Sequence, residues 1–208
     1  MNTQSNTDLL AMLTREGVLI NASVRYPRFH KKLNAADLGL DTSQLRLVRT
    51  TRHQVEAGAR LRMSVEASLA GRVDGVAHIG SSSVTGLLAK PIVDLAIGTA
   101  NEEQTRIVHS VLPGAGWRYR GDAGDDGGLV FVLEAGPAHR LAHAHVVDAG
   151  GQQWQDYLCL RDLLRRSPRS RARYEAVKLE LLDRHGTDRV AYTLGKTAVV
   201  RELLSGAE

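Results

Sequence analysis

The alternation of apolar and polar residues predicts a chain in which helices surround a group of short strands. Apolar side chains recur at helical spacing over residues 53–72, which predicts an amphipathic helix. The run at 92–97 is mostly apolar, which is typical of a strand that is buried on both faces. Further strands are predicted at 76–79, 117–120, 129–134 and 140–147, and a further helix at 101–112.

The last third of the chain changes to a helical pattern after Gly150 and Gly151. Helices are predicted over 152–166, from Pro168 to about His185, and over 188–204. A helix, then mixed strands, then three helices predict an α/β or α+β fold. We expect a mixed sheet with packed helices and a helical C-terminal third.

The first 44 residues read as an N-terminal helical extension of a main domain at 45–208. Short helices are predicted over residues 6–15 and from Pro27 to just before Gly39. Their aliphatic side chains favour packing onto the main body or onto a second subunit. A homo-oligomer is therefore one of the two alternatives. The stretch 121–128 is predicted to be a flexible acidic loop.

Composition restricts the class of protein. Of 208 residues, 43% are hydrophobic, so the chain can bury a core. It has no 18-residue apolar run and no signal-peptide layout, so we expect a soluble, cytoplasmic protein without a membrane partner. The single cysteine, Cys159, excludes an internal disulfide and a multi-cysteine zinc site, and is expected to be a small core residue.

The chain carries a net charge of +4, and only five of its 27 basic residues are lysines. This balance alone is weak evidence for nucleic acid, and a GC-rich genome also produces many arginine codons. The arginines between 161 and 173 have two interpretations: a solvated helix face, or a surface that binds an RNA partner.

The stretch from His78 to Ile97 carries the most chemistry. Gly80 and Ser81 end a predicted strand, and a glycine there would let a phosphate approach the backbone. Backbone N–H groups, Ser81 and Ser82 can hold phosphate oxygens, with Lys90 as a nearby positive charge. Asp94 lies on an apolar strand, where a metal ion or a basic partner would offset the cost of burying its charge.

This stretch resembles the signature of the GrpB family, a branch of the nucleotidyltransferase-fold superfamily. The similarity continues at His143-Ala144-His145-Val146-Val147 and in the helix with Trp154, Leu158, Arg161, Asp162, Leu164 and Arg165. It ends with Pro168, Tyr174, Lys178, Tyr192 and Lys196, and covers about residues 46–205. The resemblance implies a nucleotidyltransferase-like mixed sheet.

The resemblance also implies a use of nucleoside triphosphates. An enzyme of this kind would use ATP or another nucleoside triphosphate with Mg²⁺ to modify or activate a small-molecule acceptor. Asp94 and His145 would be the catalytic and metal-binding residues, and Arg161 and Lys178 would bind phosphate or the acceptor. The superfamily's second acid is absent from Asp94-Leu95-Ala96, and His145 stands in the third acid's place. The alternative is therefore a non-catalytic module that binds a nucleotide or another phosphorylated ligand.

Each candidate residue also has a structural interpretation. Gly80 and Ser81 can be a simple turn, and Asp94 can be a buried acid that pairs with Arg161 or a histidine. His78 and His143 are further pocket candidates, although strand histidines are often core residues. Tyr174 and Lys178 share a helical face and can pack on each other, and Lys196 is a similar case. Arg161 and its neighbour Asp162 are expected to point in different directions.

Overall fold

A computed structural model describes residues 26–122, 128–186 and 188–206. The helix predicted at 6–15 and most of the acidic loop predicted at 121–128 lie outside these ranges. The division predicted at residue 44 stays a prediction. Within the described part, Leu33 and Leu38 are buried in the same core as the main domain.

The described residues form six α-helices, a short 3-10 helix at Ser81–Ser83 and eight strands. The helices are α1 (Tyr26–Asn34), α2 (Arg52–Leu69), α3 (Glu102–Gly114), α4 (Gln152–Arg166), α5 (Pro168–His185) and α6 (Arg189–Leu204). The strands are β1 (Leu40–Asp41), β2 (Val48–Arg49), β3 (Gly75–Ile79), β4 (Leu88–Ala89), β5 (Val93–Thr99), β6 (Trp117–Asp122), β7 (Leu129–Gly136) and β8 (His139–Asp148). The mixed α/β fold and the helical C-terminal third are confirmed.

The main sheet has the order β3-β5-β8-β7-β6, and β1 pairs with the start of β8. Strand β5 runs parallel to β8, whereas β3 with β5, β8 with β7, and β7 with β6 are antiparallel. The register places Asp94 beside His143 and Ala96 beside His145. Since paired residues point to the same face, Asp94 and both histidines share one face.

The two faces of the sheet are covered differently. One face, with Leu95 and Ala144, forms the main core together with buried side chains of α2 and α3 such as Leu61 and Val108. The other face packs Ala96 and its neighbours against Trp154 and other side chains of α4. Helix α4 lies over β3, β5 and β8. The part of this face on β6 and β7 therefore borders the cavity described below.

Two local expectations are wrong. Cys159 is exposed on α4 and is not a core residue, because it lies on the helix face that turns away from the sheet. Arg161 and Asp162 do not point apart: Arg161 Nε and Nη2 donate to the two carboxylate oxygens of Asp162 at 2.7 and 3.0 Å. Long side chains can curve back along a helix surface, so neighbouring residues can still meet. None of the described helices is long and apolar enough to span a membrane.

Candidate functional site

Asp94, His143 and His145 converge on one face of the sheet. His143 Nδ1 donates to Asp94 Oδ1 at 3.0 Å. One potential ligand atom from each of the three side chains lies within 4.8 Å of the other two. The parallel pairing of β5 and β8 produces this cluster, which joins residues about 50 positions apart. The sequence predicted a site with Asp94 and His145, and the structure adds His143 to these two residues.

The electrostatics keep the cluster ready to bind a positive charge. Burial raises the pKa of Asp94, but the hydrogen bond from His143 and the nearby His145 and Lys196 outweigh it, so the pKa lies below its usual range. Burial lowers the pKa of His145 to about 4, so its imidazole is neutral at pH 7. His145 Nδ1 is buried and has no hydrogen-bond partner.

The turn after β3 brings Gly80 against Asp94. Gly80 has φ +65°, a conformation that other residues seldom adopt, and a side-chain Cβ there would lie 3.2 Å from Asp94 Oδ2. Ser82 is buried, and its Oγ accepts from the backbone N–H of Asp94 at 3.1 Å. The Ser82 hydroxyl therefore holds the turn against the start of β5, where Asp94 lies.

Lys90 and Lys178, which are predicted to bind phosphate, and the pocket candidate Lys196 all have protein partners. Lys178 is only 1% exposed, and its Nζ donates to Ser81 Oγ at 3.2 Å and to the carbonyl oxygen of Leu88. Burial lowers the pKa of Lys178 to about 7. Lys90 and Lys196 lie 4.8 and 5.3 Å from the centroid of the Tyr192 ring. Lys178 therefore joins α5 to the turn after β3, and Lys90 contacts Tyr192 of α6.

Three other candidate side chains lie apart from the cluster. Tyr174 is buried, and Lys178 Nζ lies 4.4 Å from the centroid of its ring. Arg161 is engaged by Asp162, as described above. His78 pairs in register with Leu95, so it belongs to the opposite face of the sheet, where its ring lies against Gly58 of α2. A Ser82 hydroxyl 3.2 Å from His78 Nε2 links that ring to the turn.

A cavity of about 480 Å³ borders the cluster, and of its lining the sequence indicated only His143 and His145. His143 and His145 form one wall, and Arg120 and Arg140 bring positive charge from β6 and β8. Arg140 Nη1 donates to His143 Nε2 at 3.4 Å, and its buried Nε has no partner. Glu134, which is 5% exposed, accepts from Arg120 at 3.1 Å. The strand pairing that joins these residues could not be deduced from local patterns.

Comparison with known proteins identifies the family. Residues 44–205 match the GrpB protein family. The chain belongs to the GrpB family. A UPF0157 protein of Streptomyces coelicolor is 35% identical over 159 residues, which cover 73% of this chain and 78% of that protein. A UPF0157 protein of Pseudomonas aeruginosa is 37% identical over 136 residues, which cover 64% of this chain and 55% of that protein.

Two relatives that carry the GrpB name match this chain over almost their whole length. The glutamate-rich protein GrpB of Alkalihalophilus pseudofirmus is 25% identical over 171 residues, which cover 81% of this chain and 98% of that protein. The crystal structure of the conserved protein GrpB from Enterococcus faecalis superposes with a TM-score of 0.65 at 24% identity. It covers 78% of this chain and 99% of that structure, so the GrpB fold is shared.

The donor atoms of this GrpB-family site do not fit Mg²⁺. Magnesium prefers an octahedral shell of oxygen atoms, supplied by carboxylates, phosphates and water. The cluster contributes one carboxylate, Asp94, and two imidazoles, His143 and His145. Imidazole nitrogen is a ligand of zinc and related transition metals, so the magnesium expected from the resemblance has a poor donor set here.

Proposed function

We propose that this GrpB-family protein binds a phosphorylated small molecule in the cavity beside Asp94, with ATP or another nucleoside triphosphate as the first candidate. The observation that carries the proposal is the lining of the cavity. Arg120 and Arg140 border it together with His143 and His145. Arginine presents several N–H donors in a planar group, which suits the oxygen atoms of a phosphate.

The free volume and the charge support a ligand of nucleotide size. A cavity of about 480 Å³ lies within the range that small-molecule sites occupy. Arg120 is 44% exposed at its side chain, so it can leave part of its contact with Glu134 for a phosphate. Valine side chains at 130 and 132 add an apolar floor on which a base or another flat group can rest.

Calorimetric titration of the full chain with ATP, GTP, CTP and UTP, without added metal, tests this proposal. Arg120→Gln is expected to weaken binding about tenfold to a hundredfold, because a hydrogen bond to a charged group contributes about 1.5–3 kcal/mol. Arg118→Gln is the matched control. Arg118 lies on the same strand and contacts the same Glu134 at 3.1 Å, but it does not line the cavity.

The control variant should bind as the native protein does. Equal weakening in both variants would mean that the net charge, not the cavity, attracts the nucleotide. Absence of binding by all four nucleotides and by pyrophosphate would contradict the proposal.

A second candidate function is transfer of a nucleotidyl group to a small-molecule acceptor. It is favoured by the close approach of the Gly80 turn to Asp94, where an added Cβ would lie 3.2 Å from the carboxylate. Such a transfer would join the acceptor to the α-phosphorus and release pyrophosphate. Pyrophosphate release in the presence of candidate alcohols, amines and carboxylates, and its loss in Asp94→Asn, tests this activity. Nucleotide binding without pyrophosphate release would contradict the transfer activity and support only the binding function.

A further inference from the structure

We propose that Asp94, His143 and His145 bind a first-row transition metal ion of the Zn²⁺ type, in preference to Mg²⁺. Two imidazoles and one carboxylate form a donor set that zinc and iron sites use, with further positions left for water or substrate. The proposal does not depend on nucleotide binding, because it concerns three protein side chains and an ion.

The spacing of the donor atoms supports an ion. The three ligand atoms already lie within 4.8 Å of one another. Donors about 2.1 Å from a tetrahedral ion lie roughly 3.4 Å apart, so small rotations of the side chains close the site. Both strands that carry the donors are central in the sheet, and β5 and β8 pair over seven positions from Val93 to Thr99. The backbone positions of the donors are therefore fixed before an ion arrives.

The hydrogen bond inside the cluster marks where an ion can bind. His143 Nδ1 and Asp94 Oδ1 are joined by one proton at a separation of 3.0 Å. An ion bound at Nδ1 would take the place of that proton, and the neutral imidazole would then carry its proton on Nε2. His145 adds a second imidazole whose buried Nδ1 has no protein partner. The unpartnered nitrogen is an independent sign that this group is placed for a ligand.

The protein contains a natural comparison for this cluster. His139 Nδ1 of β8 lies 2.8 Å from Asp41 Oδ1 of β1, so these residues form a second histidine–aspartate pair. Among the described residues, that pair does not belong to a group of three potential ligands, whereas Asp94, His143 and His145 do. His139→Gln therefore removes a similar hydrogen bond without removing a proposed ligand.

Titration of metal-free protein with Co²⁺, Zn²⁺ and Mg²⁺ tests the proposal. Calorimetry measures the affinity, and the visible absorption of bound Co²⁺ reports the number and type of its ligands. We expect one ion per chain, with Zn²⁺ and Co²⁺ bound at least about a hundredfold more tightly than Mg²⁺. Asp94→Asn and His145→Gln should each weaken Zn²⁺ binding at least about tenfold, and His139→Gln should leave it unchanged.

Thermal unfolding separates loss of the site from loss of the fold. Zn²⁺ should raise the unfolding midpoint of the native protein and of His139→Gln, because it binds the folded state. At the same Zn²⁺ concentration, the midpoint of a folded Asp94→Asn or His145→Gln should rise less than that of the native protein. A result from either variant, provided that it folds, completes the test. Unaltered Zn²⁺ binding in either folded variant, preference for Mg²⁺, or absence of Zn²⁺ and Co²⁺ binding would overturn the proposal. Nucleotide binding measured without metal stays a separate result.

Discussion

Replacing Lys178 by methionine is expected to remove a rise in stability that the native protein gains as pH increases above about 7. Lys178 is 1% exposed, and its amino group donates to Ser81 Oγ and to the Leu88 carbonyl oxygen. Burial is the main cause that lowers its pKa to about 7, and Lys196 lowers it further. The ordinary lysine pKa of about 10.4 applies to the unfolded chain.

The sign follows from the protons that each state binds. Between the two pKa values the unfolded chain keeps a proton on Lys178, whereas the folded protein has released it. The free energy of unfolding therefore increases with pH, by up to about 1.4 kcal/mol per pH unit. The gain is about 2–3 kcal/mol between about pH 7.5 and pH 9.5. Below pH 7 both states hold the proton, and the full cost of burying the charge remains.

Urea unfolding at several pH values and constant ionic strength measures this effect. The difference between native protein and Lys178→Met removes the contribution of other titrating groups, and it should grow with pH over this window. Glu175 raises the pKa of Lys178, so Glu175→Gln should shift the start of the rise to lower pH. Parallel stability curves for the native protein and Lys178→Met would refute the reasoning.

Two further predictions concern packing and charge. Gly58→Ala should destabilise the protein by about 1–3 kcal/mol in urea unfolding, because the added Cβ would lie 2.4 Å from the His78 ring. This cost exceeds the gain of up to about 1 kcal/mol that alanine brings to a helix. A stabilised variant would contradict this placement of His78. Glu134→Gln should lower the free energy of unfolding by about 1–3 kcal/mol, because it removes the charged partner of Arg120. The same change should tighten ATP binding several-fold, because Arg120 is then released for the ligand. Weaker ATP binding in a folded variant would contradict the assigned role of Arg120.

Local patterns predicted most of the elements because their apolar spacing is regular. Pro168 begins α5 as predicted, and the helix predicted at 152–166 has the bounds of α4. The limits of β7 and β8 extend a residue or two beyond the predicted ones, since pairing with a neighbour lengthens a strand more than its own apolar run indicates.

The site was only partly predictable because its contacts depend on strand order and register. Asp94 and His145 were identified from the resemblance, and the parallel pairing then adds His143 through its hydrogen bond to the acid. His78 was a further pocket candidate in the sequence, but its pairing with Leu95 places it on the opposite face. Arg120 carried no local signal, because only the neighbouring strands bring it to the cavity.

The central claim is that an anionic ligand binds in the cavity next to the Asp94 cluster. Histidine side-chain NMR during a titration with ATP in the absence of metal tests it most directly, because His143 and His145 line that cavity. His139 on the same strand and His78 on the opposite face serve as internal references. We predict that the imidazole signals of His143 and His145 shift with saturation while those of His139 and His78 do not. Shifts confined to other histidines, or no shift at all, would contradict the account.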